Sequence, residues 1–345
     1  MRLSRRLVAA CAALAVFGCA ISTRAEAYTP GPLGDLQLQL SSMSLRAPGS
    51  VGVLVKDLKT GLSSGVNSSA DMPAASTIKI PVMVEVFEQM AAGRFDLNRK
   101  LALQRGDRDD GWGDLVAART GARYSVSRLL QLMITESDNT ATNMLIRLVG
   151  RSSINATMSR LGLRQTRVAD YIRSEGDIRS LRSSPRDMVR LLEAMAQDRL
   201  VDEWSSRAMI QILDGQHHNG LLPQPLPAGL QIAHKTGTLH DTLNDVGIVF
   251  LGTDPYIIAV MTTHLPSLAA GRRFIRGVSR AAYDQLARFA NWRATNNLAP
   301  GLETPATAAD VKMWTPDVPA AAIDPATVSP TAPQPEASPA ATTGL

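Results

Sequence analysis

The spacing of apolar residues changes several times along this chain, and the changes divide it into elements. Leu33 to Leu45 carries them at helical intervals. Val51-Gly-Val-Leu-Val-Lys-Asp57 is an apolar run of strand length that turns at Lys59-Thr60-Gly61 toward a partner strand. From Ser76 to about Leu213 the patterns are mostly helical, including Val82 to Met90, Val126 to Thr135, Thr140 to Val149 and Pro185 to Met195. Strand patterns return at Leu230 to Thr236, Asp245 to Leu251 and Tyr256 to Thr263, and a closing helix runs from about Arg272 to Trp292. A sheet assembled from both ends of the chain, with a long helical stretch between, predicts an α/β (α+β) fold. Its antiparallel sheet is flanked by helices, a large helical lobe (about 77–220) is inserted, and a cleft lies at the junction.

The two ends read differently. Arg2, Arg5 and Arg6 precede an apolar run from Leu7 to Ile21 and a small-x-small site, Ala25-Glu26-Ala27. This predicts a signal peptide over 1–27, a mature start near Tyr28 and a periplasmic or extracellular location. The alternatives are a twin-arginine signal, because Ser4-Arg5-Arg6 precedes the run, and a lipoprotein anchor at Cys19, for which Phe17 is a poor fit. Both cysteines, Cys11 and Cys19, fall in this segment, so the expected domain (28–298) is held by its core without a disulfide. Between Pro325 and Pro339, Pro, Ala, Thr and Ser alternate with almost no large apolar residue, and a disordered tail over 299–345 follows. The formal charge of +5 is spread among acidic residues and forms no basic cluster interleaved with aromatics, which argues against a nucleic-acid partner. No second apolar stretch is long enough to span a bilayer, and a monomer without metal or cofactor is expected.

Three short stretches carry chemistry. In a helix, Ser76 and Lys79 of Ser76-Thr-Ile-Lys79 share a face, so a hydroxyl and an amine come together. Serine is a weak nucleophile, and a lysine serves as its base when burial or a second cation such as Lys235 lowers its pKa. In Ser137-Asp138-Asn139 the serine can carry a proton and the Asn side chain can bind a substrate amide or the Lys79 ammonium; the plainer reading is a helix N-cap. In Lys235-Thr236-Gly237-Thr238 the glycine lets a substrate lie against a strand while Lys235 and Thr236 bind a carboxylate. Backbone N–H groups of Ser76 and Thr238 are candidates for an oxyanion hole.

In this order the three stretches resemble the penicillin-recognising serine enzymes, and their gaps resemble the class A β-lactamases. The likeness also takes in Gly52 to Lys56, Met133 to Asn143 and Ser184-Pro185-Arg186-Asp187, so it covers roughly Leu33 to Trp292. The resemblance implies a serine β-lactamase in which Ser76 attacks, Lys79 assists as base, Ser137 relays a proton, Asn139 orients substrate, and Lys235 with Thr236 anchors the substrate carboxylate. The alternatives are a D-Ala-D-Ala peptidase or transpeptidase of the cell wall, and a binding protein for β-lactams or wall peptides that does not turn over.

One departure stands out. Class A enzymes usually carry a Glu-x-x-Leu-Asn segment whose Glu activates the deacylating water, and the corresponding loop here, Thr166 to Ser180, has none. Asp170 and Glu175 are the candidate replacements, with pairing to a loop arginine the plainer expectation for each. Trp112 in Gly111-Trp112-Gly113 is expected to be a packed loop residue rather than part of a cleft mouth. His217-His218 is expected as two surface histidines rather than a metal site. Arg272, Arg273 and Arg276 are expected to face solvent, with carboxylate binding as the other reading.

Overall fold

Strand alternation sets how the layers stack. The computed structural model describes residues 33–174 and 180–296. The predicted signal peptide with both cysteines, Glu175 and the predicted tail lie outside the described residues. In chain order the main elements are α1 (Gly34–Leu45), β1 (Ser50–Asp57), β2 (Ser63–Val66), α2 (Lys79–Ala91), α3 (Val126–Thr135), α4 (Asn139–Val149) and α5 (Arg151–Arg160). They continue with α6 (Pro185–Ala196), α7 (Glu203–Asp214), β3 (Ile232–Thr238), β4 (Leu243–Val249), β5 (Tyr256–Thr263) and α8 (Leu268–Asn296).

The five strands form one antiparallel sheet in the order β2-β1-β5-β4-β3. Val51, Val53 and Val55 of β1, with Ile258 and Val260 of β5, pack against Leu36 and Leu40 of α1 and Ile275 and Val278 of α8. The alternate residues Leu54, Ile257, Ala259 and Met261 join the helical lobe. Side chains of a strand alternate between faces, so a sheet covered on both sides is built from continuous apolar runs. That is the pattern of 51–55 and 256–261.

In the lobe, Val82, Met83, Val84, Val86 and Phe87 of α2 are all fully buried. A helix buried over this stretch has little polar face there, and its buried acid, Glu85, must be paired. Glu85 accepts hydrogen bonds from Thr157 Oγ1 (2.6 Å) and Gln89 Nε2 (2.7 Å). Ser125, Asp138, Ser184 and Asp202 cap α3, α4, α6 and α7, each accepting from a backbone N–H three residues on.

The predicted elements are present, with shifts where tertiary pairing overrides local pattern. β3 and β4 begin and end nearer their shared turn than the sequence suggests, because Thr238 pairs with Leu243 and Leu239 N–H closes the turn on Thr242 O (2.9 Å). Lys235-Thr236-Gly237-Thr238 therefore forms the end of the strand, with Thr238 its last residue. Ser76 sits in a 3-10 turn, Ala75–Ile78, ahead of the α-helix. Residues three apart eclipse one another in a 3-10 turn, which keeps Ser76 over Lys79. The polar helix α5 buries only Ile154, Thr157 and Met158, too few to mark it in the sequence. No helix among the described residues is long and apolar enough to cross a membrane.

Candidate active site

The turn that carries Ser76, the candidate nucleophile, is pinned from three sides. Asn244 Nδ2 of β4 donates to Pro73 O (2.9 Å) and Ala74 O (3.0 Å), and Ala74 N–H donates to Leu181 O (2.9 Å). Ala75 adopts φ +49°, a left-handed conformation that costs a non-glycine residue about 1 kcal/mol, immediately before Ser76. β3 presses against this turn: a Cβ on Gly237 would lie 3.0 Å from Ala74 O and 3.1 Å from Ser76 N. Glycine at 237 thus eases a close approach of β3 to the turn, with Thr236 and Thr238 on the same cleft as Ser76. Ser76, Ser137, Asn139, Thr236 and Thr238 line one cleft of about 730 Å³.

Behind that wall two fully buried lysines meet on one hydroxyl. Lys79 Nζ donates to Ser137 Oγ (3.1 Å), Ser137 O (2.5 Å) and Asn139 Oδ1 (2.8 Å). Lys235 Nζ donates to the same Ser137 Oγ (3.0 Å) and to Thr236 O (3.0 Å). Ser137, like Ala75, is held left-handed (φ +59°). Asp138 between them takes the capping role, accepting from Ala141 N–H and Leu115 N–H (both 2.7 Å). The capping reading of this triplet thus falls on Asp138 alone, which leaves the side chains of Ser137 and Asn139 to Lys79.

Burial, then the charge of Lys235, holds Lys79 well below the ordinary lysine range. Burial also brings Lys235 down to about 7, against the support of Asp245. Both amines are thus easier to deprotonate than a free lysine, which suits Lys79 to the part of a base. Asp245 is itself buried, paired with His234 Nδ1 (2.9 Å) and accepting from Leu222 N–H (3.0 Å). The sequence analysis missed this supporting acid, because only the register Thr236–Asp245 places it behind β3.

A lysine whose folded pKa lies below its unfolded value disfavours folding wherever the unfolded chain binds the extra proton. Between about pH 7 and the unfolded lysine value near pH 10, wild-type stability should rise with pH by about 1.4 kcal/mol per unit from Lys235 alone. The stability difference, Lys235→Met minus wild type, is therefore expected to be greatest at and below about pH 7 and to fall steadily toward about pH 10. Denaturant unfolding of both proteins across that range checks it; a constant difference would contradict the buried charge.

The mouth corrects several expectations. Trp112 is 57% exposed and lines the cleft; its indole N–H donates to Glu136 O (2.8 Å) and its ring meets His218 edge-on at 5.8 Å. It is not a packed loop residue. His217 is exposed and paired with Glu136, while His218 lines the cleft. No cluster of metal-binding side chains occurs among the described residues. Arg272 and Arg276 also line the cleft, and Arg276 holds Gly220 O with its Nε (3.0 Å) and Nη2 (2.8 Å).

Gly113, at φ +122°, would place a Cβ 2.3 Å from the Asp138 carboxyl carbon. Gly113→Ala is expected to cost about 3 kcal/mol through strain and loss of that cap, read as a fall in melting temperature. An unchanged melting temperature would refute it.

The loop after Thr166 is clamped by Asn143, whose Oδ1 accepts from Ile172 N–H (2.8 Å) and whose Nδ2 donates to Ile172 O (2.9 Å). Ile172, Arg173 and Ser174 line the cleft. Asp170 is not placed there: it is exposed and paired with Arg151 at 3.1 Å. Of the two candidate deacylating acids, one faces solvent and the other, Glu175, lies outside the described residues.

Residues 35–286 match the model of the beta-lactamase enzyme family. The extended-spectrum beta-lactamase PER-1 of Pseudomonas aeruginosa is 26% identical over 281 residues, covering 75% of this chain and 89% of that protein. The structure of PBP-A superposes with a TM-score of 0.70 at 30% identity, covering 77% of this chain and 97% of that one. A PBP-A variant captured as an acyl-enzyme complex with penicillin G superposes with a TM-score of 0.69 at 31% identity, covering 77% and 98%.

Proposed function

Since this chain belongs to the beta-lactamase enzyme family, we propose that it is an exported serine β-lactamase that works through an acyl-enzyme on Ser76, with deacylation as its slow step. The observation that carries the acylation half is the pair of buried amines on Ser137 Oγ. Lys79, its amine held low by burial, accepts the Ser76 proton as the hydroxyl oxygen attacks the lactam carbonyl carbon. Backbone N–H groups at Ser76 and Thr238 receive the developing oxyanion. As the C–N bond breaks, Ser137 passes a proton to the leaving nitrogen and is reprotonated from the amines behind it. Lys235 as a cation, with Thr236 and Thr238, holds the substrate carboxylate.

The second half-reaction needs an activated water. Among the described residues of the 166–180 loop, those on the cleft are Ile172, Arg173 and Ser174, none of them an acid. That observation also favours a second reading, a D-Ala-D-Ala peptidase or transpeptidase, whose acyl-enzyme waits for a peptide amine.

Intact mass of the purified protein after mixing with benzylpenicillin tests both. A mass gain of one whole penicillin that decays with release of hydrolysed penicillin is expected. A lasting adduct with no product excludes the β-lactamase and leaves the peptidase or a non-turnover binding protein, separated by release of D-Ala from a wall-type peptide. No adduct and no product would overturn the acyl-enzyme altogether.

A further inference from the structure

One buried acid beside the site has no part in the chemistry above. Asp109, 5% exposed, lies in the turn before Trp112. Its Oδ1 accepts from Asn139 Nδ2 (2.9 Å), Ser174 Oγ (2.6 Å) and Gly111 N–H (3.0 Å), and its Oδ2 accepts from Ser174 N–H (2.7 Å). Its own N–H donates to Thr140 Oγ1 (3.1 Å). One carboxylate thus joins three segments: the Trp112 turn, the start of α4, and the loop that carries Ile172.

Continuity with the lysine is the point of interest. Lys79 Nζ donates to Asn139 Oδ1, and Asn139 Nδ2 donates to Asp109 Oδ1. An amide has one accepting and one donating end, while a carboxylate only accepts. Asp109 therefore compels the NH2 of Asn139 toward itself and leaves the carbonyl for Lys79. Gly111 shows how close the latch is, since a Cβ there would lie 1.6 Å from Ser174 Oγ.

We propose that Asp109 is a positioning residue for acylation, fixing which way the Asn139 amide faces, and through it Lys79, while latching Ser174 to the cleft wall. This rests on the assignment of Lys79 as the base. Burial pushes the Asp109 carboxyl up, but the hydrogen bonds from Ser174, Asn139 and Gly111 outweigh it and hold it below the usual range, so it stays charged. That charge raises Lys79, in concert with Asp138 and against burial and Lys235.

Asp109→Asn tests the proposal in the full-length mature protein, with benzylpenicillin as probe and thermal melting as the check on folding. An amide at 109 no longer dictates the Asn139 orientation, and acylation is expected to slow by about 10- to 100-fold, the range for a misplaced catalytic group. The acid limb of acylation against pH should move to lower pH, because Lys79 loses a supporting negative charge while Lys235 and Asp138 remain. Ser174→Ala removes the hydroxyl arm of the latch but keeps the Ser174 N–H contact and the link to Asn139, so its acid limb should stay where the wild type's is.

A readout independent of activity comes from exchanging partners. Asn139→Asp sets two carboxylates together and should lower the melting temperature; adding Asp109→Asn restores a donor facing an acceptor and should recover most of the loss. A folded Asp109→Asn protein with wild-type rate and pH limb overturns the proposal. So does a Ser174→Ala protein that matches it in both readouts, or an additive double exchange. Wild-type protein that forms no adduct would refute the proposed function instead, and the melting cycle would still judge Asp109.

Discussion

Ser76→Ala should leave no covalent penicillin adduct and lower β-lactam hydrolysis by at least about 10⁴-fold, because a nucleophile that acts with its base as a unit cannot be replaced by binding alone. The substitution removes one hydroxyl from a half-buried position, and the surrounding frame does not depend on it. Asn244 still fixes Pro73 and Ala74, and Gly237 still packs on the turn. The buried amines and Ser137 likewise keep their contacts. Wild-type melting behaviour with complete loss of adduct is therefore the expected pair of results, read by thermal unfolding and intact mass. An adduct that survives would move the nucleophile elsewhere, and Ser137, which also lines the cleft, would be the first residue to examine by peptide mapping.

Ile172→Glu should act on the other half-reaction and in the opposite direction. Ile172 is 7% exposed, lines the cleft, and has its backbone clamped at both ends by Asn143, so the loop can keep its path when the side chain changes. A carboxylate there supplies the base that the loop lacks among its described residues. A general base contributes about 10²- to 10⁴-fold, and the lower end is expected here because this site was not shaped around an acid. Partial burial would raise the new acid's pKa, so the gain should grow as pH rises and the group ionises. The measurement is the decay of the penicillin adduct after excess penicillin is removed. An adduct as long-lived as in wild type would show that the water approaches from another side and would point to a group outside the loop.

Much of the acylation site was legible in the chain because its parts are local. Ser76 and Lys79 are one turn apart, Ser137 and Asn139 flank a residue that caps the helix they begin, and the run from Lys235 to Thr238 sits on one strand. Each group marks itself by spacing, and their order completes the resemblance. The sheet was legible for a related reason: burial on both faces imposes unbroken apolar runs at 51–55 and 256–261. Asp109 and Asp245 gave no such signal. Each looks like an ordinary polar residue of a turn or strand, and only packing against Asn139 and Ser174, or behind Lys235, gives it a function. Trp112 was misjudged for the same reason, since whether a loop aromatic packs or stands at a cleft depends on what lies opposite, here His218.

The sequence by itself determined the family and the layered sheet-and-helix architecture, and it marked the candidate nucleophile with its two amines, because local periodicity and short-range spacing specify these. Only the tertiary structure decided how far burial lowers the two lysines, which way Asn139 faces, and that Asp170 points to solvent while Ile172 lines the cleft. Those outcomes depend on burial and on charges brought together from segments 30 to 170 residues apart, as in Asn139 with Asp109 and Asn244 with Ala74, and no local pattern records them.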